Sequence, residues 1–309
     1  MSNFRFSPVA VSDEVATALH EGRGVVALET TITVHGLPAP INFEVAIECE
    51  AAVRQADATP ATIGVLDGRV VVGLSAHDLE RLADPARHAA KLSARDLGVA
   101  LASGTDGATT VAGTITVARR VGISVMATGG LGGVHRDARA TFDESADLMA
   151  LARTPVLVVA SGVKSILDIG ATLERLDTLG VPVVGYQTRQ FPGFYLRDSG
   201  FALDWSVASA NEAAHAFLSH GEFSSTGLLL ANPVRPDQEL DRVVHDDALA
   251  SALAKVDEQD VTGKAVTPAL LAEFARHSAG LSVQVNRDLV VANAGLGGDV
   301  AAALAKLSR

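Results

Sequence analysis

Short apolar runs bounded by glycine alternate with longer amphipathic stretches along most of this chain. Residues 8–21 predict an amphipathic helix, and GVVALETTI predicts a strand, because its apolar run is brief and glycine-bounded. NFEVAIECEAAVRQAD has helical periodicity, with Asn42 placed to cap it. ATIGVLDGRVVVGL divides at Asp67-Gly68 into a hairpin, since Asp-Gly accepts the positive φ angles that tight hairpin turns need. AHDLERLAD reads as a helix, and HAAKLSARDLGVALASG as a short strand or turn leading into another. GATTVAGTITVARRVG predicts a helix, ISVMATGG a buried strand and LGGVHRDARATFD a glycine-rich loop. ESADLMALART is helical, PVLVVAS a strand, KSILDIGATLERLDTLG a helix beginning at Ser165, and VPVVGYQT a further strand.

Strands alternating with helices imply βαβ units, hence an α/β fold with a largely parallel sheet covered on both faces, plus the small hairpin. No repeat, low-complexity tract or linker interrupts the pattern, so residues 1–309 predict a single domain. The strand ends carry the unusual residues Glu29, Gly129-Gly130 and Lys164, and open α/β sheets bind ligands at the carboxyl ends of their strands.

Composition narrows the function. A net charge of -11 lacks the basic footprint of general nucleic-acid binding, yet leaves room for a locally positive pocket and a small anionic substrate. Cys49 is the only cysteine, which rules out an intrachain disulfide and fits a reducing compartment. The opening residues show no apolar leader before Asp13 and Glu14, and no uninterrupted apolar run matches a membrane span. The expectation is a soluble cytoplasmic protein.

Several residues are candidates for chemistry. Lys164 follows a buried strand among small neighbours. A surface lysine would carry its charge out to water, whereas a desolvated one has a lowered pKa and becomes a nucleophile or imine former. Glu29 ends VVALE after four apolar residues; it is either a structural ion-pair partner, a cap on the next segment, or a general acid whose pKa burial raises. In TFDESADL, Asp143 and Asp147 stand four residues apart. They suit a helix N-terminus and its dipole, and equally a hard divalent cation held through oxygen and water. The small-residue stretches GTDGATTVAGT and ATGGLGGVHR either simply turn the chain or present backbone N–H groups to a phosphate, and Lys91, in HAAKLSARD with Arg95, is either a solvated helix-edge charge or a phosphate partner. His20, His35, His77, His88 and His135 show no zinc-ligand spacing.

The order VALETTITVHGLPAP, KLSARDL, GATTVAGT, ATGGLGGVHR, TFDESADL, SGVKSILD, GVPVVGYQT and ANP resembles the pseudouridine-5'-phosphate glycosidases, a family that includes indigoidine synthase A-like proteins. The likeness is densest from Val26 to Pro233 and returns at GKAVTPALLA and VQVNRDLVVANA. It implies an α/β/α arrangement, a homotrimer, and reversible cleavage of the C–C glycosidic bond of pseudouridine 5'-phosphate to uracil and ribose 5-phosphate. It further implies Lys164 as covalent nucleophile, Glu29 as proton donor and Asp143 as the residue associated with a divalent metal, Mn²⁺ or Mg²⁺. Substrate contacts carry over to Lys91, Val111, Ser145, Ala146, Asp147 and Asn286. ETT stands where EST is commoner, and ASGVKS where AGAKS is commoner; both are exchanges of small residues.

The implied chemistry accounts for a lysine. A glycosidase with two carboxylates protonates a leaving heteroatom, but the leaving atom here is C5 of uracil, which has no lone pair. Glu29 would protonate the ribose ring oxygen, Lys164 would add at C1', and the C–C bond would break as an imine forms, with Asp147 and metal-ordered water assisting proton transfer. Two alternatives keep the same residues: a Schiff-base aldolase or lyase on another phosphosugar, and a non-catalytic phosphosugar-binding protein.

Overall fold

A computed structural model describes residues 8–259 and 266–308. The opening before Pro8, and Gly263 to Ala265 of the GKAVTPALLA stretch, lie outside the described residues. The strands are β1 (Val9–Val11), β2 (Val25–Leu28), β3 (Thr59–Leu66), β4 (Arg69–Val72), β5 (Ala90–Leu92), β6 (Gly107–Thr109), β7 (Val125–Ala127), β8 (Leu157–Ala160), β9 (Val183–Tyr186), β10 (Trp205–Val207) and β11 (Leu228–Ala231). They form one sheet in the order β1-β4-β3-β2-β7-β8-β11-β9-β10, with β6 branching from β3 and carrying β5. Every pairing is parallel except β3 with β4 and β3 with β6, so the expected parallel sheet and hairpin are both present.

Between the strands run α1 (Asp13–His20), α2 (Ile41–Gln55), α3 (Ala76–Ala83), α4 (Leu97–Ser103), α5 (Val111–Arg120), α6 (Ala138–Thr141), α7 (Ala146–Arg153), α8 (Ile169–Thr178), α9 (Ala210–Gly221), α10 (Arg242–Glu258), α11 (Val266–His277) and α12 (Leu281–Leu307). Every residue of β2, β3, β7, β8 and β11 is buried, which explains why these strands read as continuous apolar runs. Two separate helix groups cover β2 and β7: α12 with α2 and α9, and α5 with α7. Helix α12 is long and apolar enough to cross a membrane, but its inner face belongs to this core. Gly298 lets it close on α2, since a Cβ there would stand 2.6 Å from that of Ala56.

Four sequence expectations change in detail. Residues 8–21 are not one helix, because Val9–Val11 pairs with the open edge of β4 and Ser12 then caps α1. Asn42 does not cap α2; it lies inside the first turn, where its amide donates to the carbonyls of Thr33 and Ala83. GATTVAGT begins as β6, and α5 starts only after the Thr110 cap. The helix expected from Ser165 begins at Ile169, because Val134 bridges to Asp168, and the Asp168 side chain accepts from Ala171 N–H as the N-cap.

Candidate active site

β2, β7 and β8 are parallel neighbours, so their carboxyl ends open on the same side of the sheet. A cavity of about 480 Å³ lies there. Its wall contains Glu29, just after β2, Thr128, just after β7, and Lys164, on the turn after β8. Lys91 from β5, Val111 at the start of α5 and Asn286 of α12 also face it, as do Asp143 and the Ser145-Ala146-Asp147 start of α7. All the sequence-derived site residues thus come together in one place.

Glu29 accepts a short hydrogen bond from the Thr128 hydroxyl, a residue that the sequence reading passed over. Burial pushes the Glu29 carboxyl above its ordinary range. Lys164, the Thr128 hydroxyl and Lys91 oppose that shift, and the Asp147 carboxylate reinforces it. A carboxyl so placed holds its proton to higher pH than a surface glutamate, as a proton donor needs.

Lys164 owes its position to a turn that only glycine can open. Gly162 has φ +77°, and a Cβ there would lie 2.2 Å from the carbonyl oxygen of Pro192. Leu167 N–H donates to Lys164 O, and Arg136 holds the turn through the carbonyls of Ser165 and Ile166. The half-buried lysine points its Nζ at Gly130 O, 3.0 Å away. Its ammonium stem is therefore anchored at the mouth of β7.

Asp147 is 5% exposed, and both its oxygens are committed. Oδ1 accepts from Ala112 N–H at 2.9 Å, and Oδ2 from Gly132 N–H at 3.0 Å. One carboxylate therefore ties the start of α5 to the glycine loop. A side chain on Gly132 would strike Ser145 Oγ at 2.3 Å and Asp147 Oδ2 at 2.7 Å, which is why GGLGG is free of bulk. Helices α5 and α7 begin at the cavity, capped by Thr110 and Ser145, and their N-terminal dipoles with Lys91 make this wall suited to an anion.

Asp143 is 40% exposed, with His135 Nε2 at 3.8 Å. Among the described residues no cluster of three or more His, Cys, Asp or Glu side chains converges. One accessible carboxylate on a cavity wall fits a hard divalent cation that keeps most of its water shell, and does not fit a closed structural zinc site.

Unspent polar groups mark the rest of the wall. Thr31 Oγ1, His35 Nε2 and Asn286 Oδ1 are buried with no hydrogen-bond partner among the described residues, a state that a bound polar ligand would relieve. Burial and the nearby Lys91 lower the His35 pKa, so its ring is neutral at pH 7, with a backbone hydrogen bond to Ala89 opposing in part. Spacing gave no hint of His35, because the signal sought for histidines was a metal pair.

Comparison with known proteins is consistent over the whole chain. The family model described as "Indigoidine synthase A like protein" matches residues 14–303. A pseudouridine-5'-phosphate glycosidase of Salinispora tropica is 57% identical, covering 94% of this chain and 90% of its own. One of Frankia alni is 52% identical over 98% and 84% of the two chains. Among solved structures, the prealnumycin C-glycosynthase AlnA in complex with ribulose 5-phosphate superposes with a TM-score of 0.89 at 41% identity, covering 97% of this chain and 98% of that one. An indigoidine synthase A-like protein from Thermotoga maritima gives 0.88 at 33% identity, with both chains fully covered.

Proposed function

Because this chain belongs to the indigoidine synthase A-like family, we propose that it is a pseudouridine-5'-phosphate glycosidase, cleaving its substrate reversibly to uracil and ribose 5-phosphate. The observation that carries this reading is the convergence of Glu29 and Lys164 from β2 and β8 on one cavity with an anion-suited wall. That pairing answers the chemical problem of a C-glycoside, which has no leaving heteroatom to protonate.

The 5'-phosphate sits against the starts of α5 and α7, with Lys91 as its charge partner; Val111 and Ala146 provide backbone N–H groups there and Ser145 its hydroxyl, since the Ser145 N–H is held by Gly133 O. Glu29 transfers its proton to the ribose ring oxygen, and the C1'–O bond opens. The Lys164 amine, having given up a proton, forms a bond to C1'. The secondary ammonium so formed gives up a proton, and as the freed nitrogen lone pair becomes the C=N bond, the C1'–C5 electrons pass to uracil C5, which takes that proton. Water then adds to the imine carbon and releases a proton to Glu29, the C–N bond breaks, and ribose 5-phosphate leaves with Glu29 and Lys164 regenerated. Asn286 Oδ1 is available to a donor on the base. Asp147 acts by holding the loop and the start of α5 in register.

Asp143 would hold Mn²⁺ or Mg²⁺, with water completing the shell. Such an ion would order water and supply positive charge to an anionic substrate. The proposal extends to the homotrimer that the family resemblance implies. It also extends to a cytoplasmic location, in keeping with a lone buried cysteine.

The test is uracil release from pseudouridine 5'-phosphate, followed chromatographically. Release from the phosphate ester but not from free pseudouridine supports the assignment. Turnover of ribose 5-phosphate with some other acceptor or aldol partner, and no uracil released, would favour the aldolase alternative.

A further inference from the structure

The VANA stretch and the ANP stretch have no role in the mechanism above, yet the fold brings one asparagine of each together beneath the site. Asn293 is fully buried in the apolar core face of α12. Its Nδ2 donates to Thr128 O at 2.8 Å and to Ser161 Oγ at 3.1 Å, and reaches Gly129 O at 3.4 Å. Its Oδ1 accepts from Asn232 Nδ2 at 2.9 Å. Two of the groups facing Nδ2 are carbonyls, which only accept, so the amide orientation is fixed by its surroundings.

These contacts fall on the backbone that presents the proposed catalytic pair. Thr128 supplies the hydroxyl held by Glu29, and Gly130 supplies the carbonyl held by Lys164 Nζ. Between the two lies Gly129, whose carbonyl also accepts from Ser161 N–H. Asn232 N–H in turn donates to Ala160 O, so the amide pair spans the ends of β7, β8 and β11. Ordinary α12 packing needs only apolar side chains here. A buried amide is costly unless its donors and acceptor are all met, and this one meets them on strand ends.

We propose that Asn293, supported by Asn232, is a positioning residue that sets the backbone from Thr128 to Gly130 and thereby the separation of Glu29 from Lys164. The inference rests on the assignment of those two residues to the chemistry. It predicts that disturbing Asn293 lowers turnover far more than substrate affinity, because the phosphate-facing wall is built from other elements.

The experiment compares wild type, Asn293→Ala, Asn232→Ala and, as a control for loosening of α12, Leu304→Ala, a buried residue in the last turns of the same helix. Borohydride trapping with ribose 5-phosphate first establishes a Lys164 adduct in the wild type; its absence there would remove the premise, and the inference with it. Given the adduct, Asn293→Ala should lower kcat about 10²-fold, the loss expected of an ångström-scale misplacement. KM should stay within about threefold of wild type. Wild-type kcat in folded Asn293→Ala, or an equal kcat loss in Leu304→Ala at matched melting temperature, would overturn the inference. Should Asn293→Ala not fold, Asn232→Ala decides: a several-fold fall in kcat at constant KM supports the proposal, and unchanged kcat refutes it.

Discussion

Thr128, just after β7, donates its hydroxyl hydrogen bond to the Glu29 carboxyl, just after the neighbouring β2. The bond favours the ionised form, while burial, the larger influence, favours the protonated form. Removing it with the isosteric Thr128→Val therefore raises the Glu29 pKa further. The alkaline limb of the kcat/KM profile, where the proton donor is lost, should move to higher pH. Lys164, Lys91 and Asp147 also act on Glu29, so the profile is best taken at constant ionic strength. A limb moving downward would contradict the assignment of that limb to Glu29.

Glu29→Gln should cut kcat by roughly 10²- to 10⁴-fold, the usual range for a general acid. Its stability effect has a defined sign. A carboxyl whose folded pKa is raised stabilises the fold fully below its unfolded value, and that contribution is lost as pH rises through the folded value. Above that window the neutral amide no longer carries the cost, so Glu29→Gln should melt higher than wild type at pH 8 and show no such advantage at pH 4. Thermal melts at the two pH values check this.

The order of elements is legible in the chain because buried parallel strands must be continuous apolar runs, and Asp67-Gly68 can hardly be anything but a turn. Glu29 and Lys164 stand out because charge at the end of such a run is expensive. Thr128 and Asn293 do not stand out, since their partners lie 99 and 165 residues away and neither carries charge. A polar residue inside the apolar VVANAGL of α12 was the available clue. Composition permits a helix from Ser165, directly after Lys164, whereas bridges from Val163 to Leu131 and from Asp168 to Val134 hold this turn open.

Asp147 should prove a structural linchpin rather than a proton carrier. Asp147→Ala leaves two buried N–H groups unpaired, at Ala112 and Gly132, for a loss of roughly 2–6 kcal/mol at the usual cost per orphaned donor. Asp147→Asn keeps one acceptor and should lose less. Urea unfolding of both variants tests the ranking.

Asp143 is half-exposed and outside the core, so Asp143→Asn should leave the melting temperature of the metal-free protein unchanged. Activity should fall at least about tenfold, and the Mn²⁺ concentration needed for half activation should rise. Chelation of the wild type should reproduce the loss, and added Mn²⁺ should reverse it. Full activity in chelator would contradict metal dependence.

The central claim is that Lys164 forms the covalent bond to C1'. Peptide mass spectrometry after incubation with ribose 5-phosphate, Mn²⁺ and borohydride reads this directly. The account predicts a reduced pentose phosphate adduct on Lys164, absent from Lys164→Ala. An adduct on Lys91 instead, the other lysine in the cavity wall among the described residues, or on no lysine while the sugar phosphate still binds, would contradict it.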